Sequence, residues 1–314
     1  MTRVAVCSRS FSRHPVLRAE ILDRYPDTKF NDAGIALAGM ELVDFLADCD
    51  KAVIALEPID REILDRLPNL RVIAKYGVGF DKLDLDAMRA RNIHLGWTPG
   101  VNRRAVSELA LCFMISLLRQ VGPLSRAVAD GTWSPAIGGQ LTDKTVGIVG
   151  CGNVGQDLAG ILRAMGVQVL AHDLLEQGEF YKKSGVKPLD LNSLLRSADI
   201  VTLHLPLNAS TRGIISAERL ALMRPGALLI NTARGGLIDE EALSVALADG
   251  HLAGAAFDVF DEEPPINNRL FTQSNFIATP HIGGSTEESV LAMGRAAIHG
   301  LDTFSLPEPG VFPR

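Results

Sequence analysis

Cysteine is scarce and unpaired. Cys7, Cys49, Cys112 and Cys151 are the four in 314 residues, and their spacing fits no disulfide framework. Three lie in apolar runs and Cys151 lies in a glycine-rich turn, the pattern of reduced, mostly buried thiols in a cytoplasmic protein. Clustered cations are missing too. The 31 Lys and Arg are scattered among 37 Asp and Glu, and the net charge is −6. Neither nucleic acid nor a membrane surface is therefore an expected partner. Long apolar runs are absent. The longest near a helix, Leu109–Leu118, is too short to span a bilayer, and the start M-T-R-V-A-V-C-S reads as a strand, not a signal peptide. No metal is expected. What remains is 47% hydrophobic residues, enough for a substantial core, on a chain long enough for two domains of ordinary size.

Short apolar runs alternate with helical stretches from end to end. Arg3–Cys7, Lys51–Leu56, Leu70–Lys75 and Ile93–Leu95 form a first group of strands, with helices such as Glu41–Ala47 and Ile59–Arg66 between them. Thr145–Val149, Val167–Ala171, Ile200–Leu203, Ala227–Asn231, Ala253–Phe257 and Phe276–Ala278 form a second. Strands of this kind, separated by helices, imply parallel sheets covered on both faces. The expected fold class is α/β with two doubly wound parallel-sheet domains. Between the groups runs a long helix, about Arg103–Gln120. Its Val106, Leu109, Ala110, Leu111, Phe113, Met114, Ile115, Leu117 and Leu118 cover nearly the whole circumference, so it is expected to be buried on all sides. Either a partner subunit covers what one domain cannot, or the helix lies between the two domains of one chain. With Trp133 and the Pro/Gly-rich stretch Gly131–Gly139, about 101–140 reads as a homodimerisation arm. A last helix, Thr286–Phe304, follows the Gly283–Gly284 break and is expected to return to the N-terminal domain. That return would give a hinged cleft suited to enzyme closure.

The most informative segment is V-G-I-V-G-C-G-N-V-G at 146–155, followed by an apolar helix and by V-Q-V-L-A-H-D ending at Asp173. Each residue type here meets one demand of a bound dinucleotide. Gly150 permits the tight turn, Gly152 lets the pyrophosphate approach the backbone, and Gly155 lets the helix pack against the strand. Asn153 and Val154 open that helix, whose N–H groups face the phosphates. Asp173 can accept hydrogen bonds from both ribose hydroxyls and would repel a 2′-phosphate. Leu174 and Leu175 offer no compensating cation, so NAD is expected as cofactor.

Three further spots end strands of the second group. In N-T-A-R-G-G, Arg234 stands where parallel sheets bind ligands, with a guanidinium shaped for a carboxylate. In D-V-F-D-E-E-P-P, Asp258 closes an apolar strand, whereas Asp261 and Glu262 read as a solvated acidic loop. In T-P-H-I-G-G-S-T, His281 is a candidate acid/base, because imidazole titrates near neutral pH. His204, in L-H-L-P-L-N, is assigned to the cofactor side. Oxidation of a 2-hydroxy acid needs a base for the hydroxyl proton, a carboxylate to stabilise the imidazolium and a guanidinium to hold the substrate.

At these residues, from about Lys51 to Ser289, the chain resembles the D-isomer-specific 2-hydroxyacid dehydrogenases, a group that includes phosphoglycerate dehydrogenase and the hydroxypyruvate and glyoxylate reductases. The resemblance implies a Rossmann nucleotide domain at 101–282, inserted into a flavodoxin-like substrate domain at 1–100 plus 283–314. It implies that Arg234, Glu263 and His281 are catalytic. It also implies that Asp258 contacts the nicotinamide carboxamide, with Pro206, Thr232 and Ala233 beside the cofactor. The loop Tyr76–Gly77–Val78–Gly79, with Lys75, would bind the substrate carboxylate. Glu263 stands where the family's formate dehydrogenases carry an amide, which disfavours formate. Ala55, at the end of the second strand, stands where relatives acting on phosphorylated substrates carry Arg. No serine-sensing regulatory domain is expected after residue 314. The expected substrate is a small unphosphorylated 2-oxo acid such as hydroxypyruvate or glyoxylate. Leu56, Glu57 and Trp133 are further candidates for lining its pocket. Phosphoglycerate dehydrogenase, a phosphonate-oxidising relative and an NAD(H)-sensing corepressor-like binding protein stand as alternatives.

Overall fold

The computed structural model describes residues 2–175 and 177–308, so the extreme ends of the expected substrate domain, residues 1 and 309–314, lie outside the described residues. The chain divides into two compact units. One takes in Met1–Asn102 and Ser285–Arg314, the other Arg103–Gly284.

The first unit runs β1 (Val4–Val6), α1 (Arg9–Arg13), α2 (Pro15–Arg24), β2 (Lys29–Phe30), α3 (Gly39–Leu46), β3 (Lys51–Ile54), α4 (Arg61–Asp65), β4 (Val72–Lys75), α5 (Leu85–Ala90) and β5 (His94–Gly96). Its strands pair in parallel in the order β2-β1-β3-β4-β5, a flavodoxin-like sheet. Strand alternation divides the core. Val4 and Val6 pack on one face with Phe11, Leu17 and Ile21, while Ala5 and Cys7 pack on the other with Leu42, Leu46 and Ile63. Both faces are covered, which is why these strands read as unbroken apolar runs. Helix starts are marked by short polar caps: Asp60 accepts from the Ile63 N–H at 2.9 Å and Asp84 from the Ala87 N–H at 2.8 Å.

The second unit runs α6 (Arg103–Leu118), α7 (Val121–Ala129), β6 (Thr145–Val149), α8 (Asn153–Ala164), β7 (Gln168–His172), α9 (Gly178–Ser184), β8 (Lys187–Pro188), α10 (Leu191–Ser197), β9 (Ile200–Leu203), α11 (Ala217–Leu222), β10 (Ala227–Asn231), α12 (Glu240–Ala248), β11 (Leu252–Phe257) and β12 (Phe276–Ala278). Its order is β12-β11-β10-β9-β6-β7-β8, all parallel. Strand order reverses at β6, which pairs with both β7 and β9. This is the Rossmann arrangement, and its crevice for ligands lies at that reversal. The last helix, α13 (Glu287–Gly300), belongs to the first unit. Its Met293, Ala297 and Ile298 share a core with Leu17 and Ile21.

Within its own unit the helix α6 is covered on one face, as the expectation of a further cover for its remainder requires. Ala105, Val106, Ala110, Phe113 and Met114 face the core, while Cys112 and Ile115 stay exposed. Apolar residues around a helix do not by themselves say which face its own unit covers. The two-residue strands β2 and β8 were not expected, so Ala55 follows the third strand rather than the second. No single described helix is long and apolar enough to cross a membrane. The α6–α7 pair would reach that only with a 63° bend.

Candidate active site

Because the sheet of the second unit is wholly parallel, the ends of its strands share one edge. Gly150 follows β6, Asp173 follows β7, His204 follows β9, Thr232 follows β10, Asp258 follows β11 and Thr279 follows β12. Residues far apart in sequence are brought to that edge by topology alone.

The glycine turn carries the geometry a dinucleotide requires. Gly150 has φ +95°, open only to glycine at ordinary cost, and a Cβ there would lie 2.5 Å from the His204 carbonyl oxygen. A Cβ on Gly155 would lie 2.2 Å from the Gly150 carbonyl oxygen, whereas at Gly152 it would meet nothing within 4 Å. The turn is thus tight on the protein side and open on the side where a pyrophosphate would approach the N-terminus of α8. Asp173 braces it: its carboxylate accepts from the Cys151 N–H at 2.6 Å and the Leu175 N–H at 2.8 Å. Each oxygen keeps a lone pair for a ribose hydroxyl. Leu174 and Leu175 are exposed and carry no cation. Burial, and then the Asp173 charge, push the Cys151 thiol up to about 12, so it is an inert neighbour.

Two buried polar atoms at this edge lack a hydrogen-bond partner among the described residues: His204 Nδ1 and Thr232 Oγ1. The His204 Nε2 meets Thr202 Oγ1 at 3.0 Å, and burial pushes the imidazole down to about 3, so it stays neutral. Orphaned polar atoms beside an open glycine turn are what a bound nucleotide would satisfy. The residues present therefore fit NAD. Asn153 is exposed, Val154 is half-buried and Ala233 is buried. Pro206 holds its loop by accepting from Thr211 Oγ1 at 2.7 Å.

The candidate catalytic side chains are tied together by two buried residues. Asn231, 1% exposed at the end of β10, accepts from the Ala233 N–H at 3.1 Å and donates to the Arg234 carbonyl at 2.8 Å. Its own carbonyl accepts from the Asp258 N–H at 2.9 Å. Asp258, also 1% exposed, holds the next loop with its whole carboxylate. One oxygen accepts from Thr279 Oγ1 at 2.5 Å and Ile282 N at 2.7 Å, the other from Gly283 N at 2.7 Å. The Asp258 carbonyl accepts from the His281 N–H at 2.9 Å. His281 Nδ1 then meets Glu263 Oε2 at 2.9 Å, and Glu263 Oε1 accepts from the Phe260 N–H at 3.1 Å. Arg234 Nη1 donates to the Ala233 carbonyl at 2.6 Å. His281 and Glu263 are side by side and about two-fifths exposed, at 40% and 38%, as a proton-transferring pair must be to reach substrate.

Asn231 was not singled out in the sequence, although it stands in the same motif as Arg234. Its signal is a polar side chain ending an otherwise apolar strand. Asp258 acts here as the clasp of the His281 loop, a bond set invisible in one sequence because its donors lie 21 to 25 residues away.

The expected substrate loop lies in the first unit, at the end of β4. Lys75 is 5% exposed, and its ammonium donates to the carbonyls of Ala55 at 2.5 Å and Tyr76 at 3.4 Å. Tyr76 is buried, Gly77 has φ +116°, and the Val78 carbonyl accepts from Trp97 Nε1 at 2.9 Å. Gly79 is half-buried. The backbone of the loop is thus anchored on either side of Gly77, while Lys75 turns inward to brace the Ala55 turn.

Comparison with known proteins agrees. The sequence profile described as "D-isomer specific 2-hydroxyacid dehydrogenase, NAD binding domain" matches residues 111–283. A glyoxylate reductase of Thermococcus litoralis is 33% identical over 296 residues, covering 91% of this chain and 88% of that protein. A D-3-phosphoglycerate dehydrogenase of Methanocaldococcus jannaschii is 36% identical over 267 residues, covering 84% of this chain but only 51% of that longer protein. The crystal structure of the TT0316 protein from Thermus thermophilus superposes with a TM-score of 0.86 at 35% identity, covering 96% of each chain. Fold, nucleotide turn and relatives along nearly the whole length agree on one assignment: the chain belongs to the D-isomer specific 2-hydroxyacid dehydrogenases, NAD-dependent oxidoreductases acting on 2-hydroxy and 2-oxo acids.

Proposed function

We propose that the protein reduces a small unphosphorylated 2-oxo acid, hydroxypyruvate or glyoxylate, to the corresponding 2-hydroxy acid. Bound NADH supplies the hydride. Arg234 holds the substrate carboxylate with two parallel hydrogen bonds and polarises the oxo group. His281 donates a proton to the oxo oxygen from Nε2, because Nδ1 is held by Glu263 at 2.9 Å. Glu263 keeps the ring oriented and stabilises its imidazolium. Asp173, Thr232 and His204 hold the nucleotide.

The single observation carrying this reading is the His281–Glu263 pair at the end of the Rossmann sheet, joined through Asp258 and Asn231 to the backbone of Arg234. Two features favour an unphosphorylated substrate. Ala55 brings no cation, and Lys75 is turned onto the Ala55 carbonyl. The exposed apolar residues Ile115, Val121, Val128, Trp133 (84%) and Ile137 (99%) support a homodimer in which a second copy covers the α6–α7 region and the segment after it. The four free cysteines support a reducing compartment, the cytoplasm.

The test is to mix protein and NADH with glyoxylate, hydroxypyruvate, phosphohydroxypyruvate and pyruvate and to follow loss of the reduced-nicotinamide absorbance. Fastest turnover with one of the first two is expected. Preference for phosphohydroxypyruvate would replace this reading by a phosphoglycerate dehydrogenase. Tight NADH binding with no turnover of any acid would replace it by a nucleotide-sensing binding protein.

A further inference from the structure

We propose that Asn231 is a positioning residue that sets where the Arg234 guanidinium leaves the backbone; this rests on the reading of Arg234 as the ligand of the substrate carboxylate. The chain must turn sharply after β10, so that Thr232, Ala233 and Arg234 leave the sheet edge within three residues. One side chain closes that turn at both ends. The Asn231 carbonyl oxygen Oδ1 takes the Ala233 N–H at 3.1 Å, and its Nδ2 gives a hydrogen bond to the Arg234 carbonyl at 2.8 Å. The asparagine amide supplies an acceptor and a donor at the reach this turn requires. Aspartate keeps the acceptor but sets a carboxylate oxygen against the Arg234 carbonyl oxygen in a place only 1% exposed. Serine does not reach a carbonyl three residues on. Glutamine is one methylene too long for a site enclosed by β9 and β11.

Asn231 also stands between the two halves of the site. Its main-chain carbonyl accepts from the Asp258 N–H, and the Asp258 carbonyl accepts from the His281 N–H, each at 2.9 Å. The direction of Arg234 and the placing of the His281 loop are therefore set from one residue. The side-chain bonds act on the Arg234 branch alone, which makes that branch separable by mutation.

The experiment compares wild type, Asn231→Ala, Asn231→Asp, Arg234→Lys and the Asn231→Ala/Arg234→Lys double variant. It reads KM and kcat for the best 2-oxo acid, NADH affinity by protein-to-nicotinamide fluorescence transfer, and thermal melting. A displaced guanidinium costs about 10- to 100-fold in kcat/KM for the oxo acid. Most of that should appear in KM, with NADH affinity unchanged within about twofold, since the glycine turn on β6 is untouched. With the lysine already in place, Asn231→Ala should cost far less than it does alone, because both changes act on one contact. Full additivity of the two losses would overturn the proposal, as would a loss confined to NADH binding. Should Asn231→Ala fail to fold, Asn231→Asp, which keeps the volume and the Ala233 bond, carries the same comparison. An Arg234→Lys variant with unchanged KM would instead sink the underlying role of Arg234, which is a different failure.

Discussion

His281 has a backbone φ of +54°, a left-handed conformation that costs a non-glycine residue about 1–3 kcal/mol. It is held there by its own N–H on the Asp258 carbonyl, and by the Asp258 carboxylate on the next two N–H groups. The sharp turn presents the imidazole to Glu263, so the strain serves the proton-transfer pair. Glu263→Gln tests that pair. The amide can still accept a hydrogen bond from Nδ1, so the ring keeps its place, but the negative charge that stabilises the imidazolium is gone. Reduction requires the protonated ring. The reductase kcat should therefore drop about 10- to 100-fold. Steady-state rates of both proteins would show it, and an unchanged kcat removes Glu263 from the pair. Of this site, the residue types and their strand-end positions were legible, because a charged or imidazole side chain closing an apolar strand has few structural uses. The left-handed backbone and the Asp258 clasp were not. They depend on β11 and β12 lying side by side, which the residues of either strand alone do not state.

At the scale of elements, the contact between α8 and the β6 turn decides whether a nucleotide fits. Leu158, Ala159 and Leu162 press α8 onto one face of the sheet, each buried leucine contributing about 1.5–3 kcal/mol. Gly155 lets the first turn of the helix come within contact of the Gly150 carbonyl. Gly155→Ala places a methyl 2.2 Å from that oxygen. The helix start must then move away, at about 1–3 kcal/mol, and its N–H groups lose their aim at the pyrophosphate. The expected result is an NADH dissociation constant raised about tenfold or more, read by fluorescence titration. Unchanged NADH affinity would mean that the close approach is not what shapes the turn. This unit was readable because most of its strands are apolar runs of three to six residues with glycine or polar breaks. β2 and β8 were not, since two-residue edge strands such as Lys29–Phe30 and Lys187–Pro188 leave no pattern. What covers the outer face of α6 was not legible for a related reason: composition says that a face is apolar, and only neighbours say what lies on it.

Across the whole molecule, the first unit is assembled from both ends of the described chain, and its integrity depends on how α13 is fastened. Gly294 admits Leu17 against the helix, and ion pairs hold it past its middle and just beyond its C-terminal end. Arg295 holds Glu20 of α2 through a fork, Nη2 to Oε1 at 2.8 Å and Nε to Oε2 at 3.2 Å. Just past the helix, Asp302 takes Lys51 at 3.0 Å, Arg24 at 2.5 Å and the Tyr25 hydroxyl, while Lys51 also caps the Leu301 carbonyl at 2.6 Å. Partial burial tends to raise the Asp302 carboxyl, but the hydrogen bonds from Tyr25 and Lys51 and the two cations outweigh it and hold the group below the ordinary aspartate range. Glu20 is likewise held low, by its hydrogen bonds to Arg295. A carboxyl depressed in the folded state stabilises the fold above its unfolded pKa and loses that contribution as pH falls through its folded value. Asp302→Asn should therefore lower the melting temperature at pH 7, by about 1–2 °C for a partly solvated network worth roughly 0.5–1 kcal/mol. The gap between variant and wild type should start to narrow as pH drops below about 4, the ordinary aspartate value, and close below the lower folded value, where the native carboxyl also becomes neutral. Raising ionic strength at pH 7 should narrow it as well, because a third of the Asp302 side chain is exposed at 33%. Differential scanning calorimetry of both proteins across pH would decide the matter. A melting difference that persists unchanged into acid would mean that α13 is fastened by its apolar face alone, with the charges around Asp302 contributing nothing to the fold.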